Sequence, residues 1–310
     1  MRGDVLATLA IDSRISNFEV STAHSGAYFL MESKEASLGA SQSQGKGTQM
    51  NLSNNTILIT GGSSGIGLGL AAAFTALDNT VIVTGRDRAK LDQALRKVPK
   101  LRVVRSDVTD PEAVVSLYAS ITQQYPNLNV LINNAGIMRK VNLQDARIGP
   151  LEVTREIDTN LIAPIRMTKQ FLPHLQSQPS AAIVNVSSGL AFVPFPISPV
   201  YSATKAALHS FTLSLRVQLL RTYIKVFELM PPGTDTPLFT GDFDAQDVVG
   251  LKPMPVDMLV AHALAGLRKD ELEIKPGLSN VLQVMSRAAP RLMLRQLSKS
   301  AKHMQTHTQG

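Results

Sequence analysis

Short apolar runs alternate with stretches of helical periodicity over most of the chain. The runs are rich in Ile, Val and Leu, and continuous runs of this kind are typical of parallel strands buried on both faces. We predict strands at 56–60, 80–84, 101–105, 129–133, 182–186 and 224–229. The helices predicted between and after them cover 67–77, 89–98, 111–124, 153–175 and 201–221. This alternation predicts the α/β class, with one doubly wound parallel sheet in three α/β/α layers.

The first part of the chain lacks this alternation. Ser, Gly, Gln and Thr dominate residues 33–49, and Met50 stands just ahead of the first strong strand. We therefore expect residues 1–49 to be a flexible N-terminal extension. Residues 50–310 are expected to form a single domain with a basic C-terminal segment from about 275.

Composition and charge exclude several classes of function. The 310-residue chain has no cysteine, which excludes disulfides, cysteine-ligated metals and a cysteine nucleophile. His174, His209 and His262 are isolated from one another, so we predict no metal. No apolar run reaches the roughly 18 residues of a membrane span, which predicts a soluble or at most peripheral protein.

The net charge of +7 is a property of the C-terminal segment. No Asp or Glu follows Glu273, whereas Lys275, Arg287, Arg291, Arg295, Lys299 and Lys302 all do. The rest of the chain is close to neutral, so we expect no nucleic-acid partner.

A glycine-rich loop follows the first predicted strand and opens the first predicted helix. It reads Thr60-Gly-Gly-Ser-Ser-Gly-Ile-Gly67, and the helix after it offers unpaired N–H groups at its N-terminus. In this context the loop predicts the phosphate site of a Rossmann-type fold, rather than an ordinary turn. The predicted cofactor contacts are Gly61, Ser63, Ser64, Gly65, Ile66 and Gly67.

The end of the second strand indicates which dinucleotide binds. NAD-binding folds place an acid here for the ribose 2′-hydroxyl, but this chain has Gly85 followed by Arg86. A guanidinium can pair with a 2′-phosphate. We therefore predict NADP(H) rather than NAD(H), with a solvated arginine at a helix start as the alternative.

Three side chains form a candidate catalytic set. Tyr201 and Lys205 are four residues apart on a predicted helix and so share one face. The ammonium group is predicted to lower the pKa of the tyrosine towards neutrality. Ser188 closes the fifth strand at the carboxyl edge of the sheet, where its hydroxyl can donate to a substrate carbonyl.

With these motifs the chain resembles the short-chain dehydrogenase/reductase family over about residues 55–299. The segment Asn133-Asn134-Ala135-Gly136 resembles its signature after strand four, and Asp107-Val108 its adenine-contacting pair. The segment 231–236 resembles its Pro-Gly motif, although Pro232 stands where glycine is usual. Residues 284–290 and 294–297 further resemble the DltE-like branch.

The resemblance implies both a site and a reaction. Asn160, Ser188, Tyr201 and Lys205 fit the family's catalytic tetrad. The implied additional cofactor contacts are Asp107, Val108, Asn134, Ala135, Gly136, Tyr201, Lys205, Pro231, Thr234 and Thr236. The reaction is reversible hydride transfer between nicotinamide C4 and a carbonyl or secondary alcohol carbon. Ser188 polarises the carbonyl, Tyr201 gives up its proton, Lys205 holds the nicotinamide ribose and Asn160 positions Lys205.

The substrate and the assembly are less tightly specified. Phe192, Phe195, Leu238 and Phe239 predict an apolar pocket wall and hence a lipophilic small molecule. The resemblance implies a homodimer or homotetramer that associates through the helices at 151–175 and 202–221. We expect a cytoplasmic location, with peripheral membrane association as the alternative. The alternatives are a catalytically silent NADP-binding regulator, or a peripheral membrane-surface protein that uses the basic C-terminal segment.

Overall fold

The structure is a computed structural model that describes residues 49–243, 247, 252–298 and 301. The predicted N-terminal extension lies outside these residues except for Gln49. The described chain forms a parallel sheet flanked by helices, which confirms the predicted fold class.

The sheet has the strand order β3-β2-β1-β4-β5-β6-β7 and every pairing in it is parallel. The strands are β1 (Thr56–Thr60), β2 (Thr80–Gly85), β3 (Arg102–Arg105), β4 (Leu128–Asn133), β5 (Ala181–Val186), β6 (Ile224–Leu229) and β7 (Glu273–Ile274). β7 was not predicted, because two residues at a sheet edge leave no apolar run to detect. β1 lies between β2 and β4, so the strand order reverses there and a crevice forms at their carboxyl ends.

The helices are α1 (Gly65–Ala76), α2 (Arg88–Lys97), α3 (Pro111–Gln124), α4 (Pro150–Ile157), α5 (Ala163–Gln176), α6 (Pro199–Gln218), α7 (Pro237–Thr240), α8 (Val256–Arg268), α9 (Leu278–Ala288) and α10 (Pro290–Leu297). The single helix predicted over 153–175 is wrong in one respect. A π-helical turn at Asp158–Ile162 separates α4 from α5. Such turns often occur at functional sites.

Alternating side chains of each strand supply the two cores. Ile57 and Ile59 of β1 pack on the side of α1 and α8, together with Phe74. Leu58 points the opposite way, into the core that contains Phe171 of α5. Both faces of the sheet are therefore buried, and the loops at its carboxyl end are left to form a site.

Candidate active site

A cavity of about 690 Å³ lies at the carboxyl ends of the strands. Loops that follow β1 through β6 line it, as expected at the point where the strand order reverses. Every catalytic or cofactor-binding residue predicted from the sequence lines this cavity except Gly67 and Asn160. The topology therefore brings together side chains that are far apart in the sequence.

The glycine-rich loop is shaped by close backbone approaches. Gly61 and Gly65 have φ of 65° and 53°, which favours glycine. A Cβ at Gly61 would lie 2.8 Å from the Cα of Ala135. A Cβ at Gly67 would lie 2.5 Å from the carbonyl oxygen of Gly61 and would also clash with the Asn134 amide. Gly67 therefore packs closely behind the loop and does not line the cavity.

Asn134 ties the loop after β1 to the loop after β4. Its Nδ2 donates to the carbonyl oxygens of Thr60 at 2.9 Å and Gly61 at 3.1 Å. The Thr60 hydroxyl accepts hydrogen bonds from the backbone N–H groups of Asn134 and Ala135. Ser64 precedes α1 in an extended conformation, and its side chain makes no capping hydrogen bond. The first N–H groups of α1 thus remain available to an anion at the cavity.

Basic side chains border the cavity beyond β2. Arg86 is exposed directly after this strand, and Lys90, which was not predicted, lies in the first turn of α2. The Asp87 carboxylate between them accepts a hydrogen bond from the backbone N–H of Lys90 at 3.1 Å. This end of the cavity can therefore hold a phosphate-bearing ribose.

Ser188, Tyr201 and Lys205 converge at the other end of the cavity. The Lys205 side chain is buried, its Nζ donates to the Val186 carbonyl oxygen at 2.9 Å and it lies 5.5 Å from the Tyr201 ring centre. The Ser188 Oγ accepts a hydrogen bond from the Leu190 N–H at 3.1 Å. The Ser188 side chain also forms a hydrogen bond with the Tyr201 side chain. Two hydroxyl groups and one ammonium group therefore face a common space.

The predicted effect of Lys205 on Tyr201 is wrong for this arrangement. Burial raises the pKa of Tyr201 to about 12, although the hydrogen bond with Ser188 acts in the opposite direction. Burial also lowers the pKa of Lys205 to about 8, opposed by the Glu228 carboxylate. Desolvation is the largest cause of both shifts, because both side chains are enclosed by protein.

Asn160 supports the site without lining the cavity. It is fully buried in the π-helical turn and does not line the cavity. Its Oδ1 accepts from the Ile137 N–H at 2.9 Å, and its Nδ2 donates to the Ile137 carbonyl at 2.8 Å and to Thr204 at 3.2 Å. A Cβ at Gly136 would lie 3.3 Å from Asn160 Oδ1 and 3.8 Å from Lys205 Nζ. Asn160 therefore fixes the segment beside the lysine.

Glu156 is a buried residue of the site that the sequence analysis missed. It precedes Asn160 by four residues, and its fully buried Oε1 accepts a hydrogen bond from the Arg139 N–H at 3.0 Å. The Arg139 carbonyl in turn accepts a hydrogen bond from Ser198, the residue before α6, at 2.7 Å. Oε2 has no hydrogen-bond partner in the described structure, and burial raises the pKa of this carboxyl to about 7. The four-residue spacing from Asn160 was the signal available in the sequence.

His209 also has a partner that the sequence did not reveal. Nothing in the sequence pairs His209 with an acid, but its Nδ1 lies 2.8 Å from Oε2 of the fully buried Glu228. This hydrogen bond raises the pKa of His209. Within the described residues, His, Asp and Glu side chains form no cluster that could hold a metal ion.

Apolar side chains enclose the cavity beside Ser188. Phe195, Leu238 and Phe239 line it as predicted. Phe192 does not, because its ring packs edge-on against His209 with 5.3 Å between the ring centres. Further lining residues come from elements that the sequence did not connect to the site, namely Met138, Arg139, Arg155, Leu278, Leu282 and Leu297.

Comparison with known proteins assigns the chain to a family. The sequence model of the short chain dehydrogenase family matches residues 55–247. The chain belongs to this family. It is 44% identical over 225 residues to the uncharacterized oxidoreductase DltE of Bacillus subtilis, across 73% of this chain and 89% of that protein. This similarity places it in the DltE-like branch.

Solved structures of the family share the fold. A short chain dehydrogenase from Burkholderia cenocepacia, in complex with NADP, is 25% identical with a TM-score of 0.68 and covers 80% of this chain and 99% of its own. A 3-ketoacyl-(acyl-carrier-protein) reductase from Brucella melitensis, complexed with NADH, is 26% identical with a TM-score of 0.67. That match covers 74% of this chain and 100% of the reductase. Related folds thus hold both dinucleotides.

Glu156 predicts a specific pH dependence of stability. Its carboxyl pKa is raised from 4.5 to about 7, so folding takes up a proton between these values and its contribution to stability falls as the pH rises through this window. The unfolding free energy of Glu156→Gln minus that of wild type should therefore be about 1–3 kcal/mol larger at pH 8 than at pH 5. Urea denaturation at both pH values measures this difference. Glu112→Gln, at an exposed site on α3, is the control. If the difference in unfolding free energy between Glu156→Gln and wild type is the same at both pH values, the raised pKa of Glu156 is contradicted.

Proposed function

We propose that this protein is an NADP(H)-dependent oxidoreductase that transfers a hydride between the nicotinamide and a carbonyl or secondary alcohol carbon of a lipophilic small molecule. One observation carries the proposal. Ser188, Tyr201 and Lys205 meet at one end of a cavity whose other end is formed by the glycine-rich loop and Arg86.

The residues present fit a dinucleotide. The loop leaves no room for a Cβ at Gly61, and the uncapped start of α1 suits a pyrophosphate. Asp107, Val108, Ala135 and Gly136 would hold the adenosine half, and Pro231, Thr234 and Thr236 the nicotinamide half. When bound, the dinucleotide supplies or accepts the hydride.

Three side chains of this chain would handle the substrate oxygen and its proton. Ser188 donates a hydrogen bond to the carbonyl oxygen and stabilises the charge that develops there. Tyr201 stays protonated at neutral pH because burial raises its pKa to about 12, so it can donate the proton in the reducing direction. After Tyr201 has donated its proton, the positive charge of Lys205 stabilises the resulting phenolate. Asn160 holds the backbone segment beside Lys205 in place.

The lining of the cavity supports a lipophilic substrate. Phe195, Leu238 and Phe239 surround the space beside Ser188. The guanidinium groups of Arg139 and Arg155, which also line the cavity, lie 3.0 Å and 2.9 Å from the Glu152 carboxylate. Since both guanidinium groups already pair with Glu152, an acidic substrate has less to gain from them.

NADP(H) specificity is tested with Arg86→Ala. Removal of a guanidinium that pairs with the 2′-phosphate should weaken NADPH binding about 10- to 100-fold and leave NADH binding within about 2-fold. Fluorescence titration with both cofactors measures the two dissociation constants. Arg88→Ala, two residues further on and paired with Asp92 outside the cavity, should change neither constant. Equal binding of the two cofactors by wild type would refute the specificity.

Catalysis is tested with Tyr201→Phe and Ser188→Ala. Each variant should lower kcat for ketone reduction by about 10²–10⁴-fold while NADPH binding is retained. Tyr223→Phe, at an exposed site outside the cavity, is the matched control and should keep wild-type rates. Wild-type protein that binds NADPH but reduces no member of a broad ketone and aldehyde panel would instead indicate the silent regulator.

Assembly as a homodimer or homotetramer is part of the same proposal. Large aliphatic side chains stand exposed on α4, α5 and α6, among them Leu151, Ile165, Leu213 and Val217. Such a surface is typical of an interface. Light scattering should give a molar mass that is a multiple of the 33.5 kDa chain mass. Val217→Lys, which places a charge in the proposed interface, should lower the measured molar mass. A monomeric wild type would refute this assembly.

A further inference from the structure

The last two helices form one wall of the cavity. Leu278 and Leu282 of α9 and Leu297 of α10 line it. α9 is packed against the turn that follows Ser188, because a Cβ at Gly189 would lie 2.6 Å from the Ser279 Oγ. Whatever contacts the outside of these helices therefore lies next to the catalytic end of the cavity.

The outer side of the same helices is apolar. Five large aliphatic side chains are between 42% and 58% exposed, namely Leu278, Val281, Val284, Leu292 and Leu294. On α9 the first three follow at intervals of three residues and so form one stripe. α10 has no buried residue. Exposed aliphatic side chains grouped in this way, three in a stripe on α9 and two more on α10, indicate that something covers them.

The charged side chains on α9 and α10 are all basic. Arg287, Arg291 and Arg295 are exposed along it. No Asp or Glu follows Glu273 in the sequence, so neither helix carries a carboxylate. Within the described residues, none of the three guanidinium groups lies within ion-pair distance of an acid. The surface therefore offers aliphatic side chains together with three cations.

We propose that the outer faces of α9 and α10, defined here as the α9–α10 surface, dock the protein on an anionic lipid bilayer. Aliphatic side chains enter the boundary between headgroups and acyl chains, while arginines pair with lipid phosphates. A second copy fits less well, because a twofold contact would place the same three arginines against each other. None of the described helices is long and apolar enough to span a membrane, so the contact is peripheral.

Docking also gives the cavity a route to its substrate. Leu278 lines the cavity and is exposed on the α9–α10 surface, so the mouth of the cavity borders the docked face. A lipophilic carbonyl compound dissolved in the bilayer could then enter without crossing water. This part of the inference rests on the proposed function, whereas the docking itself requires no turnover.

The test is co-sedimentation of the full chain with phosphatidylcholine vesicles that contain 30% phosphatidylglycerol, or none. We expect binding to the anionic vesicles at low salt, weaker binding at high salt, and little binding to neutral vesicles. The triple variant Arg287→Gln, Arg291→Gln, Arg295→Gln should bind about 100-fold more weakly. The matched control removes the same charge at Arg96, Lys97 and Lys100, which are exposed elsewhere, and should bind like wild type.

A second pair of variants tests the apolar contribution. Val281→Ser with Val284→Ser should weaken vesicle binding at least about 10-fold, whereas Leu143→Ser, exposed in the loop between β4 and α4, should not. None of these residues lines the cavity, so reduction of a water-soluble ketone should stay unchanged and report on the proposed function separately. The proposal is overturned if wild type fails to bind anionic vesicles. It is also overturned if the control triple loses as much binding, or if the valine variants become monomeric with unchanged vesicle binding.

Discussion

The buried ammonium group of Lys205 is the feature on which the rest of the site depends. A lysine side chain that is only 4% exposed has lost its water, which costs free energy unless other groups take over. The Val186 carbonyl at the end of β5 accepts one hydrogen bond, and the Glu228 carboxylate on β6 favours the charged form. The lysine is therefore held where two strands of the sheet end beside α6. Tyr201, on the same helix face, is held with it.

The sequence predicted most of this arrangement because the features that produce it are local. Apolar runs and helical periodicity were enough for six strands and for the α/β class, and the glycine spacing located the loop after β1. Parallel strands end at one edge, so residues placed after strands had to meet there. Ser188, Tyr201 and the loop after β4 accordingly line one cavity.

What the sequence did not predict depends on tertiary contacts. The elevated pKa of Tyr201 follows from burial, which a spacing of four residues does not report. Glu156, at the end of α4 just before the π-helical turn, accepts a hydrogen bond from Arg139, which is 17 residues earlier in the chain. Residues of α9 and α10 line the cavity although they lie far from the other lining residues in the sequence. Each of these contacts joins segments whose distance is set only by the folded chain.

The central claim is that these side chains support hydride transfer, and isotopic labelling tests it most directly. The purified protein is incubated with NADPH that carries deuterium at one face of C4 and with a lipophilic ketone, and the product alcohol is analysed by mass spectrometry. The account predicts deuterium on the carbinol carbon for one of the two C4 diastereomers, with label transferred about 10²–10⁴-fold more slowly by Tyr201→Phe. Ketone reduction in which neither diastereomer gives label, or the complete absence of alcohol, would contradict it.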